Sequence, residues 1–311
     1  MRSLLSSIQI RVLNPATARE IELLKELRMN CRQLPDRGVS GASDAENTWA
    51  KVLNHFRYLI ATGDARKFLT WDILRTMFVG NPEYVAKELA FLKQRPDWTE
   101  RWSQAIEETS VGHPLPFTKY PKSSGNLIHH AYHLCRFEEA TGTPAGDFNF
   151  VLEFGGGYGS MCRLFQRLGF NGRYVVFDFP EFACLQQFFF KSLDMPVHPI
   201  ETLLDRQQGI ATVSDIGQLR EFIGALNQQV CKSLFVATWS LSETSIDFRR
   251  NILDMVFRFD AFLIAYQDRF EEVDNNHFFS EWKSTNSDVQ WEHSMIEHLP
   301  GNLYLVGRKV P

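Results

Sequence analysis

Between Phe150 and Tyr266 the chain carries four short, continuous and largely apolar runs: Phe150 to Phe154, Tyr174 to Phe177, Leu234 to Thr238 and Phe262 to Tyr266. A strand that faces water on one side alternates apolar and polar residues. One buried on both sides is apolar throughout, the mark of a parallel sheet covered by helices. Segments of helical period fall between the runs: Met161 to Leu168 closed by Gly169, a stretch opening at Pro180, Ile216 to Leu226, and Ile246 to Phe259. Strand and helix in alternation predict a doubly wound α/β sheet. Val197 to Thr202 is a weaker strand candidate. The tail reads as two strands, VQWEHSMIEHL and NLYLVGRKV, joined by a tight turn at Pro300, Gly301 and Asn302, so an antiparallel hairpin should finish the sheet.

The first part of the chain has helical period instead. Trp49, Val52, Leu53, Phe56, Leu59 and Ile60 fall on one face of a helix that Asp44 is suited to cap. Asn81-Pro82 marks a second helix start, because proline at the first helical position loses no hydrogen bond the helix needs. Trp98, Trp102 and Ile106 form another stripe, read as packing. The stretch HPLPFTKYPKSSG, His113 to Gly125, holds three prolines that interrupt helix and central strand alike. It places a boundary between a helical region, 1–122, and an α/β domain, 123–311. A helix capped by Ser123 or Ser124 should open the latter and run to about Thr141, with Gly142 to end it.

Bulk properties narrow the class. With 44% hydrophobic residues in 311, the chain has ample material for a core, and a formal charge of -4 lacks the basic excess of a nucleic-acid binder. Five dispersed cysteines without metal-ligand spacing point to reduced thiols. The apolar stretch Ser3 to Ile10 is short and broken, and no run approaches the roughly 18 residues of a membrane helix. The expectation is a cytoplasmic protein without membrane or nucleic-acid partners.

The first apolar run leads into VLEFGGGYGS, Val151 to Ser160. Glycines can adopt positive φ and let a ligand approach the backbone. The spacing of Glu153, Gly155, Gly157 and Gly159 is E-x-G-x-G-x-G, whereas the dinucleotide fingerprint would want glycine or alanine at position 160 and meets Ser160. The second run ends in Asp178, about twenty residues on, where a carboxylate can accept from both ribose hydroxyls of a nucleoside. A nucleoside ligand fits better than a dinucleotide, and a tight turn with nothing bound is the plain alternative.

At these residues the sequence resembles the class I S-adenosylmethionine-dependent methyltransferases, from about Asn149 to the C-terminus. EFGGGYG is similar to their first motif, FDFPE to their second-strand acid motif, and the terminal turn to their strand hairpin. The resemblance implies a Rossmann-like seven-stranded sheet with an antiparallel last-inserted strand. It also implies S-adenosyl-L-methionine as cofactor, held by Glu153, Gly155, Gly156, Gly157, Asp178 and Phe179. SSGNLIHHAYHL, TWSLSET, EEVDNNHFF and EHLPGNLYLVGRK, together with FDFPE, are similar to a bacterial group described as sugar O-methyltransferases. The acceptor implied is a small hydroxylated molecule.

Methyl transfer to a hydroxyl requires alignment and removal of a proton, for which histidine is the favoured base. His133 and His129 lie one turn apart, opposite the apolar stripe of Leu127, Ala131, Leu134 and Cys135, and lead the candidates; a solvated helix face, or a part in packing the linker, accounts for them equally well. His277 follows the fifth strand and Glu243 the fourth, where acceptors should enter; a plain loop histidine and a helix N-terminal acid are the alternatives. His293 and His298 are read as structural. The acidic cluster Asp268, Glu271, Glu272 and Asp274 is read as a solvated loop, and no metal is assigned. The amphipathic N-terminal helices should cover the acceptor site or join two copies in a homodimer.

Overall fold

The computed structural model describes residues 14–35, 44–229 and 231–310. Ser3 to Ile10 and the capping side chain of Asp44 lie outside what is described. The α/β part holds a seven-stranded sheet of β1 (Phe150–Phe154), β2 (Arg173–Phe177), β3 (Gly209–Val213), β4 (Ser233–Thr238), β5 (Ala261–Gln267), β6 (Val289–Met295) and β7 (Asn302–Lys309). Its order is β6-β7-β5-β4-β1-β2-β3. The pairs from β5 to β3 are parallel, while β7 runs antiparallel to both β5 and β6. This is the doubly wound sheet that the apolar runs imply, finished by the antiparallel hairpin read from the tail, and it has the Rossmann-like seven strands that the resemblance implies.

The side-chain period of two divides each strand between two cores. Phe150, Leu152 and Phe154 of β1 face one layer with Phe222, Ile252 and Phe279. These come from α8 (Ile216–Leu226), α9 (Ile246–Val256) and α10 (Asn275–Ser284). Val151, Val176 and Leu234 face the other layer, formed by α5 (Gly125–Thr141), α6 (Ser160–Arg167) and α7 (Pro180–Ser192). Ser124 caps α5 by accepting from the Leu127 N–H, and Gly142 closes it in the left-handed conformation.

The N-terminal helices α1 (Ala18–Arg32), α2 (Asp44–Thr62), α3 (Asp72–Met77) and α4 (Tyr84–Lys93) share that second core. Phe56 of α2 is fully buried, with its ring 4.9 Å from that of Phe182 in α7. Truncating such a ring to alanine costs about 3–5 kcal/mol. Beside it, Arg57 pairs with the fully buried Glu181 at 2.7 Å. The apolar faces of these helices thus find a surface within their own chain. Among the described residues no helix is long and apolar enough to cross a membrane, and all five cysteines are free thiols.

Two local expectations are corrected. The third strand is Gly209–Val213, whereas Val197 makes only an isolated bridge to Ile210 and Ile200–Leu203 is helical. Pro199 starts that turn, since it has no N–H for a ladder. Asn81 does not cap α4: its side chain accepts from the Thr118 N–H at 2.8 Å and donates to the Pro116 carbonyl. It thereby ties down a hairpin, Pro116–Phe117 paired with Tyr120–Ser124, inside the breaker-rich stretch. Prolines are tolerated there because a two-stranded hairpin is all edge.

Candidate functional site

The chain leaves β1 toward β2 on one side of the sheet and β4 toward β5 on the other, so the winding reverses between β1 and β4. Ligands of such sheets settle at that point, beyond the carboxyl ends of the strands. Here the glycine loop after β1 faces the turn Trp239 to Glu243 after β4, and the Ser240 hydroxyl donates to the Phe154 carbonyl. Gly155 and Gly157 have φ of 73° and 57° and keep partial exposure. Gly156 is buried, and a β-carbon there would lie 2.5 Å from Val176 and 3.0 Å from the Glu153 carboxylate, so the packing of the loop itself requires glycine at this position.

Asp178, at the tip of β2, points at the loop. Its Oδ2 accepts from the Gly157 N–H at 2.9 Å and from Gln186 at 3.0 Å, and its Oδ1 accepts from the Phe179 N–H at 2.8 Å. A carboxylate offers about four acceptor positions. Three are used, which leaves one on Oδ1 for a single hydroxyl, not the two expected. Burial pushes this carboxyl up to about 7, against the lowering by its hydrogen bonds from Phe179, Gly157 and Gln186. Glu153 lies beneath the loop, buried, and accepts from the Tyr174 hydroxyl at 2.8 Å. Burial lifts it to about 8 despite that hydrogen bond, with the Asp178 charge adding to the rise, so it supports the loop as a neutral acid.

Two aromatic side chains from the N-terminal region reach this site. The Phe179 ring packs 5.2 Å from that of Trp49 in α2. Phe78, just past α3, lies over Gly157, where a β-carbon would be 2.7 Å from its ring. The open face of the loop is therefore partly filled by the chain itself. Beyond it, at the tips of β2 and β3, a cavity of about 280 Å³ is lined by Asn30, Pro180, Gln187, Val213, Ser214 and Gln218, among others.

His129 and His133 do not lie on a solvated face. Both are buried in one network with Glu88 of α4, which the sequence reading passed over. Glu88 Oε1 lies 2.7 Å from both His129 Nδ1 and His298 Nε2; His129 Nε2 lies 2.9 Å from His133 Nε2, and His133 Nδ1 meets the Tyr304 hydroxyl. With Glu88 ionised, one set of tautomers satisfies the chain: Tyr304 donates to His133 Nδ1, His133 Nε2–H to His129 Nε2, and His129 Nδ1–H to the carboxylate. Burial opposes the charge on Glu88, but the hydrogen bonds with His129 and His298 prevail and hold it below its ordinary value. Burial, with three histidine neighbours, drives His133 far down, so it is neutral.

Every ring nitrogen of His129 and His133 is thus engaged by protein, and neither has one free for an acceptor's proton. Their rings flank Trp239, whose φ of 65° is rare for a large side chain and marks a strained turn. Arg249 holds that turn from behind by donating to the carbonyls of Leu241, Ser242 and Thr244. Glu243 is half-buried at its end, its carboxyl raised by burial against a hydrogen bond with Gln267. His277 is not brought to the site: it is exposed on α10 and pairs with Glu281 at 3.2 Å.

No protein-family model matches the chain, and no curated protein sequence matches it. Among solved structures, it is similar to an SAH-bound methyltransferase of Podospora anserina, at 10% identity over 88% of this chain and all of the other, TM-score 0.35. It is also similar to a precorrin-6y C5,15-methyltransferase of Geobacter metallireducens, at 11% over 64% and 94%, TM-score 0.38. A mitomycin 7-O-methyltransferase matches at 14% over 94% of each chain, TM-score 0.33.

Proposed function

We propose that this protein is an S-adenosylmethionine-dependent O-methyltransferase acting on a small hydroxylated acceptor, a sugar or glycosylated metabolite. The observation that carries the reading is the Asp178 carboxylate at the tip of β2 turned onto Gly157, in the loop that leaves β1 beside the switch point of this particular sheet. Asp178 Oδ1 would accept from a ribose hydroxyl, the half-exposed backbone of Gly155 and Gly157 would lie against the donor, and Phe179 would flank the nucleoside. A base attached to that ribose reaches toward the tips of β2 and β3, where the polar cavity lies. When bound, the donor supplies an electrophilic methyl group, and the protein aligns the acceptor and removes its proton. The donor and the Phe78 ring compete for the face of Gly157, so on this reading Phe78 yields when the donor binds. The N-terminal helices serve as the cover of the site.

Calorimetry with S-adenosylmethionine, S-adenosylhomocysteine and a nicotinamide dinucleotide tests the cofactor, with binding expected for the first two alone. Release of S-adenosylhomocysteine from donor plus a protein-free bacterial metabolite extract tests for an enzyme. Absence of binding removes the reading; binding without release reduces the protein to a non-catalytic cofactor module.

A further inference from the structure

One histidine of α5 behaves unlike the others. Successive residues of a helix turn by about 100°, so His130 points roughly opposite to Tyr132, away from the half-exposed side of α5 and into the protein. Leu127, Leu134 and Phe137, which share that inward side, are fully buried, yet His130 keeps partial exposure. Its surroundings explain this. His130 Nδ1 lies 2.7 Å from the hydroxyl of Ser160, which opens α6 directly after Gly159. Asn126 donates to the same hydroxyl at 3.0 Å and to the Tyr158 hydroxyl at 3.4 Å. A hydroxyl has one donor and two acceptor positions, so Ser160 can accept from both Asn126 and His130 Nδ1–H. That tautomer leaves Nε2 of His130 with a lone pair, and no hydrogen bond engages this nitrogen among the described residues.

We infer that His130, held by Ser160 beside the glycine loop, is the catalytic base of this site, in place of His129 and His133. The inference rests on the methyltransferase reading. As the acceptor oxygen bonds to the donor's methyl carbon, the carbon–sulfur bond breaks with its electron pair passing to sulfur, and the hydroxyl proton moves to His130 Nε2. Burial, with a contribution from His129, holds this imidazole down at about 3, so it is unprotonated at neutral pH. Ser160 and Asn126 are positioning residues, since they fix the tautomer without touching the reacting atoms.

The test needs no knowledge of the acceptor. Diethyl pyrocarbonate acylates accessible, unprotonated imidazole nitrogens, and peptide mapping should find His130 modified while His129 and His133 are spared. S-adenosylhomocysteine at about 100 times its dissociation constant should slow the reaction at His130 tenfold or more. His130→Gln should bind S-adenosylhomocysteine within about threefold of wild type and release it from donor and metabolite extract at least 100-fold more slowly. Unmodified His130, modification unaffected by bound S-adenosylhomocysteine, or undiminished turnover in His130→Gln each overturns the inference and leaves the cofactor reading standing. Failure of the wild-type protein to bind S-adenosylhomocysteine overturns both.

Discussion

Replacing Glu88 by leucine probes the buried histidine network where its energetics are clearest. The carboxylate is fully buried, and its Oε1 takes the His129 Nδ1 and His298 Nε2 donors at 2.7 Å each. Leucine orphans both, and a buried donor without a partner costs about 1–3 kcal/mol, giving roughly 2–6 in total. Part is offset, because Glu88 Oε2 already has no partner and this penalty disappears with the carboxylate. A net loss of about 1–3 kcal/mol follows, a fall of roughly 2–5 °C in Tm for a chain of this size. Glu88→Gln keeps an oxygen acceptor but loses charge assistance on two bonds, about 2 kcal/mol. The carboxyl is depressed in the fold, so its contribution is present above the ordinary carboxylate pKa and lost as pH falls through the folded value. The gap between wild type and Glu88→Gln should therefore narrow in acid. Calorimetric melting at neutral and acidic pH measures both effects. A Glu88→Leu protein melting within a degree of wild type would refute the network.

Other outcomes follow from the same geometry. Phe78→Ala should tighten S-adenosylhomocysteine binding about tenfold, since releasing a half-buried ring from Gly157 removes about 1.4 kcal/mol of competition; unchanged affinity in calorimetry would show that the ring does not compete. Glu153→Gln should flatten the pH dependence of stability between about 4.5 and 8. In that window the folded carboxyl keeps a proton the unfolded one releases, so wild-type stability falls as pH rises, which urea melts at several pH values would detect. Asp178→Ala should loosen the glycine loop by freeing the Gly157 N–H and Gln186, and should weaken S-adenosylhomocysteine binding at least tenfold. His277→Ala should leave both binding and turnover unchanged, because that ring is exposed and paired with Glu281.

The sequence by itself determined the sheet and its loops. Continuous, largely apolar runs signal strands buried on both sides whatever covers them, and Gly142, Ser124 and the glycines after β1 act through backbone geometry that is local. The same locality explains the error at the third strand, where Pro199 ends the stretch at Val197 and the five residues Gly209–Val213 carry too little pattern to stand out. Tertiary structure alone decided the roles of the side chains. A helical wheel gives the direction of His129, His130 and His133 relative to one another, but their surroundings come from Glu88, Ser160 and Tyr304, brought by α4, α6 and β7. Whether an imidazole nitrogen is free or engaged depends on partners as far as 171 residues away, and so does not follow from spacing along one helix. The ring of Phe78 over Gly157 likewise arises only when the N-terminal helices close on the sheet, because burial of their apolar faces fixes where that ring comes to rest.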